Sequence, residues 1–175
     1  MQAVVDFLRY VWQMEGEIVS LTEVHLLLSA QGILIGTAVA VPAGVFIARR
    51  PAVGSLVVDA ASMLYTVPSL AMLGFLIPLL GLGWMVAVTA LAIYSLLPVL
   101  RNTYVGISQV DPAVREAALG MGATRNQLLF KIELPLALPL IMGGLRTVTV
   151  LTVGIATLGA LVGAGGLCVL IFTGM

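Results

Sequence analysis

The sequence predicts an all-α, polytopic membrane protein. Of its 175 residues, 61% are hydrophobic and 9% are charged, whereas soluble domains contain roughly 45–50% apolar and about 25% charged residues. The charged residues also leave three long gaps, at 26–48, 60–100 and 147–175. Because about 20 apolar residues cross the hydrocarbon core of a bilayer as a helix, we expect most of the chain to lie in a membrane.

The uncharged gaps predict four membrane spans. The gap at 60–100 is too long for one helix, and Gly81-Leu82-Gly83 is expected to turn the chain within it. The last span is expected to begin at Pro135, because proline in a first helical turn loses no hydrogen bond. The predicted spans are 26–48, 57–80, 84–102 and 135–160.

The segment 1–24 differs from the rest, because charged residues interrupt its apolar ones. Val4, Leu8, Val11 and Trp12 recur at helical spacing with Asp6, Arg9 and Gln13 between them. This pattern predicts an amphipathic helix in the membrane interface. We expect a transmembrane domain at 25–175, with His25 as an interfacial anchor at its start.

The basic residues predict the orientation. Six of the eight lie in two connections, and these six are Arg49, Arg50, Arg101, Arg115, Arg125 and Lys131. Cytoplasmic loops carry an excess of Lys and Arg. Both connections are therefore expected in the cytoplasm and the N-terminus outside.

The polar loop at 103–134 contains clear helix signals. Asp111-Pro112 is typical of an N-cap followed by proline at the first helical position. Gly120 and Gly122 predict a stop and a turn, and Thr124-x-x-Gln127 is a capping box. We expect two short helices that meet at a glycine elbow.

The same loop contains a spaced motif. It reads Glu116-Ala117-Ala118, then Gly122, then Ile132-x-Leu134-Pro135. This resembles the EAA loop of permease subunits of ATP-binding-cassette (ABC) importers. The resemblance implies a type I ABC importer (MetI-like) permease fold.

Other stretches resemble the branch that imports quaternary-amine osmoprotectants, which are glycine betaine, carnitine and choline. They are Tyr65–Leu70, Gly74–Gly83, Leu97–Tyr104 and Gly163–Leu167, and the likeness covers about residues 21–174. One departure is Cys168, where we expect glycine. The resemblance implies a multi-pass protein of the bacterial or archaeal inner membrane.

The resemblance also implies partners. Two ABC ATPases would dock on the EAA loop, a second permease chain, alike or different, would enclose the path, and an extracytoplasmic solute-binding protein would deliver the solute. Glu116, Ala117, Ala118, Gly122, Ile132, Leu134 and Pro135 would couple ATPase closure to the membrane helices. ATP and magnesium would bind the ATPases, because this chain has no G-x-x-x-x-G-K-[ST] motif and we expect it to carry no cofactor and no enzyme activity.

Other functions stay open from the residues. Related importers handle other solutes, such as ergothioneine or a bile acid, and a channel or structural subunit would work without ATP. With no net charge, the chain lacks the excess of positive charge that proteins use to bind the phosphates of nucleic acid. One cysteine and one histidine leave no cluster for a metal site.

Two groups are candidates for the solute pathway. Arg146 lies about 16 Å beyond Pro135 in the last span, and a charge there is a functional candidate by default. It would line the path or contact another subunit, or else pair with Asp59 or backbone carbonyls. Pro68 would break the second span near Ser69, and Tyr65 would stack on a passing cation or simply pack at the kink.

The chain is expected to lack the family's fifth span. Residues 161–175 are shorter than the roughly 20 residues that a span needs, and four glycines weaken helix in them. We therefore expect this sequence to be a shortened form of a longer protein.

Overall fold

All regular structure in the described part of the chain is helical. The computed structural model describes Arg9 and residues 12–174. Its helices are α1 (Glu15–Ala48), α2 (Pro51–Tyr65), α3 (Ser69–Leu80), α4 (Trp84–Ser108), α5 (Pro112–Gly120), α6 (Arg125–Leu128), α7 (Leu134–Ile155) and α8 (Val169–Thr173). A π-helical turn, Leu129–Glu133, joins α6 to α7, and a 3-10 segment, Ala156–Val162, follows α7. The predicted all-α class is confirmed.

Three helical segments among the described residues are long and apolar enough to cross a membrane. They are α1, α4 and the continuous segment Arg125–Val162. A fourth crossing is present if α2 and α3 together form one span. The helices therefore provide three or four spans.

The predicted span at 57–80 is a sharply broken pair. The axes of α2 and α3 differ by 94°, and the break lies just before Ser69, at Thr66-Val67-Pro68. Pro68 has no N–H to donate and disfavours helix in the residue before it. A single kinked span was expected, whereas the structure places two helices nearly at right angles.

The first span is longer than the sequence predicts. Helix α1 begins at Glu15, so residues 15–24 continue without a break into the helix that contains the predicted span. Residues 1–8, 10 and 11 of that segment lie outside the described residues. His25 is buried, and its Nε2 lies 3.0 Å from the carbonyl oxygen of Val153. It links α1 to α7, so its prediction as an interfacial anchor was wrong.

Helix α4 is the centre of the bundle, and it packs against α1 and α7. Small residues bring α1 and α4 together: a Cβ on Gly36 would lie 2.6 Å from Cβ of Ser95, and one on Gly44 would lie 2.7 Å from Cβ of Thr103. Glycine at such positions allows two helix backbones to approach closely. Because the contacts advance together along both helices, α1 and α4 run in the same direction.

Helix α7 runs opposite to α4. Asn102 lies beside Gly144, and the hydroxyls of Ser95 and Thr152 are 3.1 Å apart in the buried core. The C-terminal ends of α1 and α4 therefore meet the beginning of α7 at one end of the bundle. The two basic connections lie at this end.

Candidate functional site

The loop between α4 and α7 forms a capped helical elbow. The Asp111 carboxylate accepts a hydrogen bond of 2.8 Å from the N–H of Ala113 and caps α5. Thr124 and Gln127 form a reciprocal capping box at α6. Between the two helices Gly122 has φ +88°, a backbone conformation that residues other than glycine rarely adopt. These local structures agree with the sequence signals.

The predicted coupling residues divide into two faces. Glu116, Ala117 and Gly122 are exposed, as is Pro135. Ala118 is buried at 2% exposure, and Ile132 and Leu134 are half-buried. One side of the loop thus faces away from the chain while the other packs on it.

Pro135 does not begin a free helix, although the sequence predicts one there. The chain is helical from Arg125 onward, and the N–H of Leu134 bonds to the carbonyl of Leu129, five residues back. Such a wide turn is a π-bulge. It accommodates a position at which the regular α-helical series of backbone hydrogen bonds is interrupted. Proline supplies the interruption, because it cannot donate to a carbonyl in the preceding turn. The loop and α7 are therefore one continuous helical segment.

A buried ionic cluster that the sequence reasoning missed lies behind this loop. Glu133 is 5% exposed. Its Oε1 lies 3.0 Å from Nε of Arg115, and its Oε2 lies 3.8 Å from Nη2 of Arg49. Nη2 of Arg115 also donates to the carbonyl of Ile107. The sequence signal was an acid between two apolar residues, Ile132 and Leu134.

An open cleft of about 420 Å³ lies over this cluster. Arg49, Arg115 and Arg125 contribute three cations to its lining, and Glu133 contributes one anion. The remaining walls are apolar, and they are Ala48, Ile107, Leu119 and Leu128. The cleft lies at the end of the bundle where the basic connections meet.

The candidate pathway residues lie at the break between α2 and α3. The rings of Tyr65 and Tyr94 meet edge to face, with centroids 5.9 Å apart. The hydroxyl of Tyr94 donates to the carbonyl of Val67 inside the break. Tyr65 and Ser69 are half-buried, and Pro68 is exposed. A cavity of about 10 Å³ beside Ser69 and Tyr94 has room for no more than one water.

Arg146 lies apart from that break, on the exposed side of α7. It lines a shallow surface depression with Gly143, Thr147, Val150 and Leu151. Among Arg9 and residues 12–174 the structure records no ion pair or hydrogen bond to its guanidinium, so it pairs neither with Asp59 nor with a backbone carbonyl. Its charge is unpaired within the described chain.

No group of three or more His, Cys, Asp or Glu side chains that could hold a metal occurs within the described ranges.

The described helices form a membrane bundle with an exposed capped elbow at one end. Residues 40–174 match the family model for the binding-protein-dependent transport system inner membrane component, and the chain belongs to this family. It is a permease component with several membrane-spanning helices.

Curated relatives are similar over most of the chain. The carnitine transport permease protein OpuCB of Listeria monocytogenes is 46% identical over 86% of this chain and 69% of its own length. The osmoprotectant import permease protein OsmW of Salmonella typhimurium is 41% identical over 97% and 81%. Another carnitine permease protein of Listeria monocytogenes, OpuCD, is 46% identical, but the match spans only 64% of its length.

A solved structure supports the fold. A chain of the inward-facing MetNI methionine ABC transporter superposes with a TM-score of 0.81, at 23% identity, over 92% of this chain and 81% of that one. The expected MetI-like permease fold is confirmed.

Proposed function

We propose that this chain is the transmembrane permease subunit of an ATP-driven importer for quaternary-amine osmoprotectants such as glycine betaine, carnitine and choline. The single observation that carries the mechanism is the exposed elbow of α5 and α6, which is joined without a break to α7. The substrate class is supported by relatives that are named as permeases for carnitine, choline and glycine betaine.

The coupling residues have distinct roles in this proposal. Glu116 and Ala117 face the ATPase, because they are exposed on α5. Gly122 holds the elbow in its left-handed conformation. Ala118, Ile132 and Leu134 fix the elbow to the bundle. ATPase closure then displaces α7 as a lever, since Pro135 and the π turn lie inside one continuous helix.

The partners follow from the same proposal. Two ABC ATPases bind ATP and magnesium and dock below the elbow. A second permease chain and an extracytoplasmic solute-binding protein complete the importer. The N-terminus lies outside, because the basic connections gather at the opposite end of the bundle. The complex resides in a bacterial or archaeal inner membrane.

The solute path runs between the two permease chains. The exposed, unpaired Arg146 faces that path or the second chain, because a cation facing lipid would be costly. Tyr65, Pro68 and Ser69 line the path at the α2–α3 break. A tyrosine ring attracts a cation over its face. This suits a quaternary ammonium, which has no N–H group and so cannot be bound through hydrogen bonds that it donates.

Competition for uptake tests the substrate class. Cells that produce this chain with its own ATPase and binding protein, and no other osmoprotectant importer, are expected to accumulate labelled glycine betaine, carnitine or choline. Unlabelled members of that set should suppress the uptake. Suppression by ergothioneine or a bile acid alone would overturn the class.

A further inference from the structure

The cluster of Glu133, Arg115 and Arg49 joins segments that are far apart in sequence. Arg49 follows the last residue of α1, Arg115 lies in α5, and Glu133 ends the π turn before α7. The second bond of Arg115, to the carbonyl of Ile107, adds the last turn of α4. One carboxylate thus lies where three membrane helices and the exposed elbow meet.

Stability alone gives a poor reason for this arrangement. A buried ion pair often contributes no more than apolar side chains of the same volume would, because both charges lose water. Within the described residues, Oε2 of Glu133 has no hydrogen-bond partner, and it lies 3.8 Å from Nη2 of Arg49. A buried polar atom left unsatisfied calls for a specific explanation.

Few other contacts hold α5 to the bundle. Its residues are exposed except for Ala118, which is buried, and Arg115, which is half-buried. Besides the chain connections at its two ends, Ala118 and Arg115 are thus the side chains through which a force on the exposed face of α5 reaches the membrane helices. Arg115 passes it directly to Glu133, at the base of α7.

We propose that Glu133 is a positioning residue that, through Arg115 and Arg49, makes α5, the end of α1 and the base of α7 move as one body. This inference rests on the proposed function, since it concerns how ATPase closure reaches the transport helices. Arg115 provides the closer contact of the two, at 3.0 Å from Glu133 against 3.8 Å for Arg49.

The ratio of ATP hydrolysed to solute imported tests the proposal. The measurement uses the complete transporter, with its ATPase and binding protein, in lipid vesicles. In Glu133→Gln the ATPase still co-purifies and hydrolyses ATP, while uptake falls about tenfold, within the range expected when a coupling between sites is lost. Glu17→Gln is the matched control, because Glu17 is an exposed acid in the first turn of α1. It is expected to keep the ratio of ATP hydrolysed to solute imported that the unchanged protein has.

Two further variants separate positioning from folding. The exchange of charges in Arg115→Glu with Glu133→Arg is expected to restore part of the uptake that either single change removes. An unchanged ratio in Glu133→Gln would overturn the proposal. The proposal would also be overturned if the loss of uptake in Glu133→Gln were fully explained by a smaller amount of assembled complex and the double variant with exchanged charges recovered no uptake.

A distance measurement decides the matter even without a known solute. Spin labels at Ala113→Cys and Leu138→Cys, both exposed positions, report the spacing of α5 and α7 in a Cys168→Ala background. One narrow distance is expected with and without a non-hydrolysable ATP analogue, and a broad distribution in Glu133→Gln. Distance distributions of equal width in Glu133→Gln and in the protein with Glu133 unchanged would contradict the proposal. Absence of amine uptake by the unchanged transporter would overturn only the proposed function.

Discussion

Tyr94 in α4 donates its hydroxyl hydrogen to the carbonyl of Val67, which lies in the break between α2 and α3. The break removes regular helical hydrogen bonds, and an unsatisfied backbone group inside a membrane is costly. One side chain from the central helix therefore compensates for the irregular backbone that Pro68 creates.

Tyr94→Phe is expected to destabilise this region. The change leaves the part-buried Val67 carbonyl without its donor, and the loss of one such hydrogen bond costs about 1 kcal/mol. Thermal unfolding of the purified protein in detergent measures the loss. Tyr104→Phe is the control, because the structure records no hydrogen bond to the Tyr104 hydroxyl within residues 12–174. Equal melting temperatures for the two variants would argue against the role of Tyr94.

Gly122→Val is expected to abolish uptake while solute delivery by the binding protein stays intact. A β-branched residue is strained at φ +88°, so the elbow between α5 and α6 must change shape. Gly120→Ala is the matched control, since its backbone is not in that region and a Cβ there meets nothing within 4 Å. Uptake assays compare the two, and normal transport by Gly122→Val would exclude the elbow as the ATPase dock.

Ala117 provides a sharper test of the docking face than Ala118. The sequence motif treats the two alanines alike, but Ala118 is buried in the chain and Ala117 is exposed. Ala117→Asp should therefore weaken ATPase co-purification without unfolding the permease, whereas Ala118→Asp should lower its stability. If both variants retain the ATPase, the docking face lies elsewhere.

Arg146→Gln is expected to reduce uptake, and Arg146→Lys to retain much of it. The reason is that an exposed cation within the last span needs water or a partner chain nearby, and lysine preserves the charge. Thr147→Val is the control on the same face, because its hydroxyl already bonds to the carbonyl of Gly143 in its own helix. Transport by Arg146→Gln at the rate of the unchanged protein would remove Arg146 from the pathway.

Impermeant thiol reagents test the orientation. With Cys168→Ala as background, Ala123→Cys should react only from the cytoplasmic side and Glu15→Cys only from outside. Ala123 lies at the elbow and Glu15 begins α1, at opposite ends of the bundle. Reaction of the two positions from the reverse sides would invert the proposed topology.

The sequence predicts much of this fold because its signals are local. Charge gaps define the spans, Asp111 and Thr124 cap their helices as expected, and Gly81 and Gly83 form the turn before α4 with positive φ. The 94° break is harder to predict, because proline indicates an interruption but not its angle. That angle depends on tertiary partners such as Tyr94.

The ionic cluster could not be predicted for a similar reason. Arg49 and Glu133 are 84 positions apart in the sequence, and they meet only because α1 and α4 run in parallel and α7 returns. The sequence assigned Arg49 to orientation and left Glu133 as the variable position of a motif. Side-chain pairs between segments that are distant in sequence can be recognised only once the fold is known.

In the proposed function this permease couples ATP hydrolysis in a partner to the import of quaternary amines. The most direct measurement is uptake of labelled glycine betaine, carnitine or choline into vesicles that contain the whole transporter, with the binding protein on one side and ATP with magnesium on the other. Accumulation against a gradient is expected, and it should require ATP hydrolysis and stop in Gly122→Val. Equilibration of the solute without ATP, at the same rate in both proteins, would contradict it and indicate a channel.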